Sequence, residues 1–158
     1  MQRRELFSSL AKPFKKKEQE RVIRPPYYKE DSLFLTNCVN CNTKDCSTVC
    51  EENIIRILED GTPSLDFSAS GCTYCDLCAE ACTNKVLDIE NKKQIKAKIE
   101  IDILACLAWH NTMCYSCKDP CLDNAIEFLG LFRPSINNSC TSCGFCIKAC
   151  PTNAIKVT

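Results

Sequence analysis

The chain has 158 residues, with 20 Lys and Arg against 20 Asp and Glu, so its formal net charge is zero. It has one His and no Gly-rich phosphate loop or dinucleotide fingerprint, so we expect a protein that is not an enzyme. No segment approaches the length and hydropathy of a transmembrane helix, and no aromatic platform accompanies the basic residues for nucleic-acid binding.

The first predicted segment is a basic N-terminal arm, residues 1–30. It carries nine Lys and Arg against four Glu, whereas residues 31–158 carry 11 Lys and Arg against 16 Asp and Glu. Arg3 and Arg4 resemble the start of a twin-arginine export signal, but Pro13 and three following lysines stand where an apolar stretch is required. We therefore expect a cytoplasmic protein. Arg3 and Arg4 are candidate partner contacts, and the alternative is a simple solvated tail.

Beyond the arm, sixteen cysteines form four runs of four. The second and fourth runs have the spacing of bacterial ferredoxins, and Pro151 follows the last cysteine as it does in that pattern. The first run has two additional residues before Cys46, and the third has seven residues between Cys106 and Cys114. Because a [4Fe–4S] cluster takes four thiolates, the sequence predicts up to four clusters. The candidate ligands are Cys38, Cys41, Cys46 and Cys50; Cys72, Cys75, Cys78 and Cys82; Cys106, Cys114, Cys117 and Cys121; and Cys140, Cys143, Cys146 and Cys150.

Zinc binding and disulfide formation are the alternative roles of these cysteines. Zinc ribbons use separated pairs of cysteines, and a third or fourth cysteine two to three residues later does not suit one tetrahedral site. A disulfide scaffold needs an oxidising compartment, which the expected cytoplasmic location does not provide. Iron–sulfur ligation is therefore the preferred interpretation.

The runs repeat every 34 residues, since they begin at Cys38, Cys72, Cys106 and Cys140. The segments between runs predict hairpins, with turns at Asp60-Gly61, near Asn91-Lys92 and near Gly130. Each run should end in a short helix. The predicted fold is therefore α+β, with tandem βαββαβ ferredoxin-like units and little regular secondary structure. The expected domains are residues 31–103 and 104–158, each holding two clusters.

In bacterial ferredoxins the fourth cysteine of a run reaches the neighbouring cluster. We prefer pairing the first run with the second and the third with the fourth. Cys82 would then join the leading three cysteines of the first run, and Cys50 would join those of the second run. In the same way, Cys150 would join the leading three cysteines of the third run, and Cys121 those of the fourth run. Pairing of the first run with the fourth and the second with the third remains open. Apolar residues are expected to cover the clusters: Ile54, Ile55, Ile57, Val86, Ile89, Ala125, Ile126 and Ile155.

Several segments together resemble the NapF family, ferredoxin-type accessory proteins of the periplasmic nitrate reductase system. They are RPPYYKEDSLFLTNC, CEENII, ACLAWHNTMCYSC and CTSCGFCIKACPTNAI. The resemblance implies a cytoplasmic iron–sulfur protein that contacts the molybdenum-containing catalytic subunit before export. Its implied role is maturation of that subunit, by cofactor assembly or reductive activation. The alternative function is a soluble electron carrier, or an electron-transfer subunit, that passes electrons through [4Fe–4S] clusters to a reductase.

Overall fold

The computed structural model describes residues 21–158, so Arg3, Arg4 and most of the predicted basic arm lie outside the described residues. The strands are β1 (Ile55–Ile57), β2 (Pro63–Leu65), β3 (Ile99–Ile101), β4 (Ile126–Leu129), β5 (Phe132–Ile136) and β6 (Ile155–Val157). The α-helices are α1 (Asp45–Thr48), α2 (Leu77–Glu80) and α3 (Phe145–Ala149). Short 3₁₀ turns span Ile89–Asn91 and Leu107–His110, and a π-helical turn spans Phe34–Cys38. The low content of regular structure agrees with the prediction. Within the described residues, no helix is long and apolar enough to span a membrane.

Two of the three predicted hairpins form. β1 pairs antiparallel with β2, and the turn is closed by Asp60, whose Oδ1 accepts hydrogen bonds from the Thr62 N–H at 2.9 Å and the Thr62 hydroxyl at 2.7 Å. β4 pairs antiparallel with β5, with a register irregularity after Phe128. The turn between them contains Gly130 at φ +65°, a left-handed conformation that glycine adopts without steric cost.

The hairpin predicted around Asn91-Lys92 is wrong. Residues 86–93 instead bond to the segment before the first run: the Asp88 N–H donates to the Tyr27 carbonyl at 2.8 Å, and the Lys93 N–H to the Pro26 carbonyl at 2.9 Å. Tyr28 and Leu87 form an antiparallel bridge. β3 pairs with β6 at the end of the chain, with Ile101 opposite Ile155. The alternation of apolar and charged residues between the second and third runs therefore belongs to segments that pair with residues far away in the sequence.

Short helices follow the cysteine loops of the first, second and fourth runs, as predicted, but not that of the third. Residues 116–120 form turns there instead. Pro120 lacks a backbone N–H, and its ring disfavours the helical conformation at Asp119, so the sequence Lys118-Asp119-Pro120 cannot continue a helix.

The core consists of small apolar clusters that contain cysteine side chains. Six of the eight predicted covering residues are buried, whereas Ile57 and Ile89 are 36% and 43% exposed. Ile57 lies at the end of β1, and Ile89 lies in the 3₁₀ turn that replaced the predicted hairpin. Ile147 and Val157 pack against the cluster built from Ile54, Leu65 and Phe67, so the first and second halves of the chain share apolar contacts.

Candidate iron–sulfur centres

The structure gathers the cysteines into four sets, following the preferred pairing of the runs. Each set combines three cysteines of one run with the last cysteine of the paired run. Three of the sets each line a separate pocket: the first (Cys38, Cys41, Cys46, Cys82), the second (Cys50, Cys72, Cys75, Cys78) and the fourth (Cys121, Cys140, Cys143, Cys146). In the third set (Cys106, Cys114, Cys117, Cys150), Cys106, Cys114 and Cys150 pack in one apolar cluster, and Cys117 packs in an adjacent cluster that Cys150 also contacts.

The donor sets fit a multi-iron cluster. Each set supplies four sulfur donors, the number required when each iron of a cubane takes one thiolate. Among the described residues, no three Cys, His, Asp or Glu side chains converge on a site for a single metal ion. In three sets the four sulfur donors instead line one shared pocket. None of the sixteen cysteines forms a disulfide.

The loops of the second and fourth runs share an unusual backbone. Tyr74 and Asp76 in the second run have φ of +55° and +68°, and Ser142 and Gly144 in the fourth run have φ of +58° and +89°. In each loop a left-handed residue stands directly before and directly after the second cysteine of the run, Cys75 or Cys143. Turns that contain left-handed residues are a feature of many backbone sites for anions and iron–sulfur clusters.

The same turn follows the last cysteine of every run. The residue three positions later is left-handed, and its N–H donates to the carbonyl of that cysteine; these residues are Asn53, Lys85, Asn124 and Asn153. Backbone N–H groups also donate to three of these sulfurs: Leu87 to Cys82 at 3.4 Å, Ala125 to Cys121 at 3.3 Å and Ala154 to Cys150 at 3.2 Å. Hydrogen bonds to cysteine sulfur stabilise the thiolate and tune the potential of a bound cluster.

Burial raises the pKa of several thiols. It raises the pKa of Cys46 to about 11, of Cys117 to about 11, and of Cys78 and Cys146 to about 12. The backbone N–H of Lys44, in contrast, holds the pKa of the Cys41 thiol below its ordinary value. Because the ligand form of cysteine is the thiolate, the buried thiols must release protons when they bind iron.

Lys44 was not singled out by the sequence. It occupies the lengthened segment of the first run, and its ammonium group donates to the carbonyls of Cys38 and Gly61. Lys44 also lines the cavity of the first set, and its positive charge lowers the pKa of Cys38 against the larger opposing effect of burial. The additional residues of this run therefore place a cation beside the first set.

The segment Arg24–Tyr28, which precedes the first run, lies against the second set of cysteines. Pro25, Pro26 and Tyr27 line the cavity of the second set. The Tyr27 hydroxyl accepts a hydrogen bond at 3.2 Å from the N–H of Asp76, a residue of the second-run loop. Arg24 fixes the segment by donating to the Thr62 hydroxyl at 2.7 Å and the Pro63 carbonyl at 2.6 Å. The consecutive prolines and tyrosines before the first run are the sequence signal that could have indicated a segment covering a cluster site.

The long insertion of the third run folds into the 3₁₀ turn Leu107–His110. Ala108 is buried, and the Trp109 indole N–H donates to the Pro134 carbonyl of β5 at 3.2 Å. The His110 Nε2 atom lies 2.9 Å from the Leu104 carbonyl. The insertion is thus anchored to the β4–β5 hairpin.

Comparison with known proteins defines the class first. Residues 37–86 match the model of the 4Fe-4S dicluster domain, and residues 135–156 match that of the 4Fe-4S binding domain. The third run lies between these two matched segments. The protein is a ferredoxin-type [4Fe–4S] protein, as the sequence predicted.

Its relatives define the family. The chain is 35% identical over 138 residues to the ferredoxin-type protein NapF of Escherichia coli K12, covering 84% of this chain and 82% of that protein. It is 36% identical over 140 residues to the ferredoxin-type protein NapF of Haemophilus influenzae, covering 85% and 78% respectively. The chain belongs to the NapF family of ferredoxin-type proteins, which confirms the resemblance found in the sequence.

Proposed function

We propose that this chain is a cytoplasmic accessory protein that assists maturation of the catalytic molybdenum subunit of periplasmic nitrate reductase before export. Its contribution would be cofactor assembly or reductive activation of that subunit. The observation that carries the proposal is the gathering of all sixteen cysteines into four separate sets within a family of ferredoxin-type proteins. Bound [4Fe–4S] clusters supply one-electron chemistry.

The cysteines are the proposed ligands, and each set is proposed to hold one cluster. The pairing of strands supports a description as two βαββαβ units. In the second unit, β3 pairs with β6 and encloses the β4–β5 hairpin; in the first, the Tyr28–Leu87 bridge encloses the β1–β2 hairpin. Because β3 pairs with β6, we place the boundary between the units before Ile99 instead of after residue 103.

Charge supports docking to another protein. Residues 31–158 have a formal net charge of −5, and each cluster with its four thiolates would add about −2. An acidic body of this kind favours a partner that presents a basic surface, since complementary charge speeds association and favours one orientation. Arg3 and Arg4 remain candidate contacts.

The alternative function is a soluble electron carrier or electron-transfer subunit. It uses the same four sets of cysteines and needs stable, reversible reduction but no specific recognition of an unexported precursor. No Gly-rich phosphate loop or dinucleotide fingerprint accompanies the cysteines, so we propose no catalytic role for this chain in either case.

An anaerobic pull-down with the iron-loaded full chain tests the proposal. The prey are the precursor and the mature form of the molybdenum nitrate reductase, and iron and sulfide are quantified in the bait. Capture of the precursor but not of the mature enzyme is expected. An Arg3→Ala, Arg4→Ala variant tests the arm, with Lys148→Ala as a matched control on the exposed face of α3. A loaded protein that ignores the precursor but is reduced and reoxidised reversibly would favour the electron carrier.

A further inference from the structure

The loops of the second and fourth runs meet across the two halves of the chain. The Cys72 N–H donates to the Cys143 carbonyl at 2.7 Å, so the main chains of two cysteine loops are joined directly. Cys72 belongs to the second set and Cys143 to the fourth. The contact therefore lies between two candidate cluster sites from different halves.

Side chains reinforce this contact on both sides. The Tyr74 hydroxyl donates to the Thr141 carbonyl at 2.5 Å and accepts from the Ile95 N–H at 3.2 Å. The hydroxyl of Ser142, which is only 7% exposed, donates to the Ala97 carbonyl at 2.6 Å.

Two glycines permit the close approach. A Cβ at Gly71 would lie 2.6 Å from both the backbone nitrogen and the ring Cγ of Phe145, and 2.7 Å from the Cys143 carbonyl oxygen. A Cβ at Gly144 would lie 2.5 Å from Cγ of Phe67, a residue of the first half. Each loop thus has a glycine where the other half leaves no space for a side chain.

We infer that these contacts form a fixed junction, defined by residues 71–74 and 141–145, which holds the second and fourth sets of cysteines side by side. Within the first half, Cys46 of the first set and Cys78 of the second pack on one apolar cluster. Within the second half, Cys117 of the third set and Cys146 of the fourth do the same. The four sites then have the linear order first, second, fourth, third, which differs from their order in the sequence. This order rests on the proposed cluster binding, whereas the junction itself does not.

Hydrogen exchange of the iron-loaded full chain under anaerobic conditions tests the junction. The Cys72 and Ile95 amides are expected to exchange slowly in the wild-type protein, because both donate hydrogen bonds within the junction. Gly71→Ala should speed both amides by at least about tenfold. Gly130→Ala is the control for a loss of stability without a clash, since a Cβ there has no neighbour within 4 Å; it should not speed these two amides more than other slowly exchanging amides of the protein.

Electron paramagnetic resonance of the same proteins, after chemical reduction, tests the order of the sites. Spectral lines that arise from magnetic interaction between clusters at the second and fourth sites should weaken in Gly71→Ala, but not in Gly130→Ala, at equal iron content. Unprotected exchange at Cys72 in the wild-type protein, or identical exchange and spectra in Gly71→Ala, would overturn the junction. If Gly71→Ala fails to fold, Tyr74→Phe decides, because it removes only a hydroxyl and should still speed exchange at Ile95. Iron and sulfide assays on each sample report separately on cluster binding.

Discussion

Gly144→Ala should destabilise the protein through two separable effects. Gly144 has φ of +89°, where a residue with a Cβ pays about 1–2 kcal/mol. The new Cβ would also lie 2.5 Å from Cγ of Phe67, whose side chain is 4% exposed and therefore has little room to move. Overpacking of this kind costs about 1–3 kcal/mol. The expected total loss in the free energy of unfolding is about 2–5 kcal/mol.

Gly130→Ala separates the two effects. Gly130 has φ of +65°, so it carries a similar backbone cost, but a Cβ there meets nothing within 4 Å. Its expected cost is about 1–2 kcal/mol. The assay is anaerobic guanidinium denaturation of the iron-loaded proteins, followed by circular dichroism and by cluster absorbance. With a slope of about 4 kcal/mol per molar, the clash should lower the midpoint of Gly144→Ala by about 0.3–0.8 M more than that of Gly130→Ala. Equal midpoints would refute the packing argument.

Three further predictions concern the sites. Lys44→Met should make the reduction potential of the first site more negative, because it removes a cation that lines that pocket. Redox titration followed by electron paramagnetic resonance measures the potentials. Lys148→Met is the control and should leave them unchanged, and unchanged potentials in Lys44→Met would contradict the prediction. Cys121→Ser should impair the fourth site and spare the third, because Cys121 lines the cavity of the fourth set; loss of the third-site signal instead would show that the pairing is wrong. Removal of iron by a chelator should abolish cooperative unfolding, and an iron-free chain with an unchanged thermal transition would argue against coupling of folding to cluster binding.

The three leading cysteines of each set were predictable because spacing determines which thiols share a loop, whereas the run that supplies the fourth cysteine was left open between two pairings. The hairpins at Asp60-Gly61 and Gly130 were predictable because local turn residues form them. The β3–β6 pairing was not, since Ile101 and Ile155 are far apart in sequence and alternation does not identify a partner. The turns of the third run were missed because the helix was assigned by repetition although Pro120 opposes it.

The junction between the halves has a weak signal in the sequence. Its central hydrogen bond joins the main chains of Cys72 and Cys143, and main-chain contacts place no demand on residue type. Only Gly71 and Gly144 mark the approach, and a glycine in a cluster loop is equally well explained by close approach to the cluster. The covering role of Tyr27 was hidden for a similar reason, because its hydrogen bond is to the backbone N–H of Asp76.

The turn that follows each run explains how a chain with such short strands and helices holds its shape. Its left-handed residue is succeeded by two buried residues: Ile54 and Ile55, Val86 and Leu87, Ala125 and Ile126, and Ala154 and Ile155. The last cysteine of a run and the core residues after it are therefore positioned by one local structure. In three of the four turns a backbone N–H also bonds to the cysteine sulfur. A displacement of that sulfur would move the buried pair with it, so the proposed ligands and the apolar core cannot be perturbed independently.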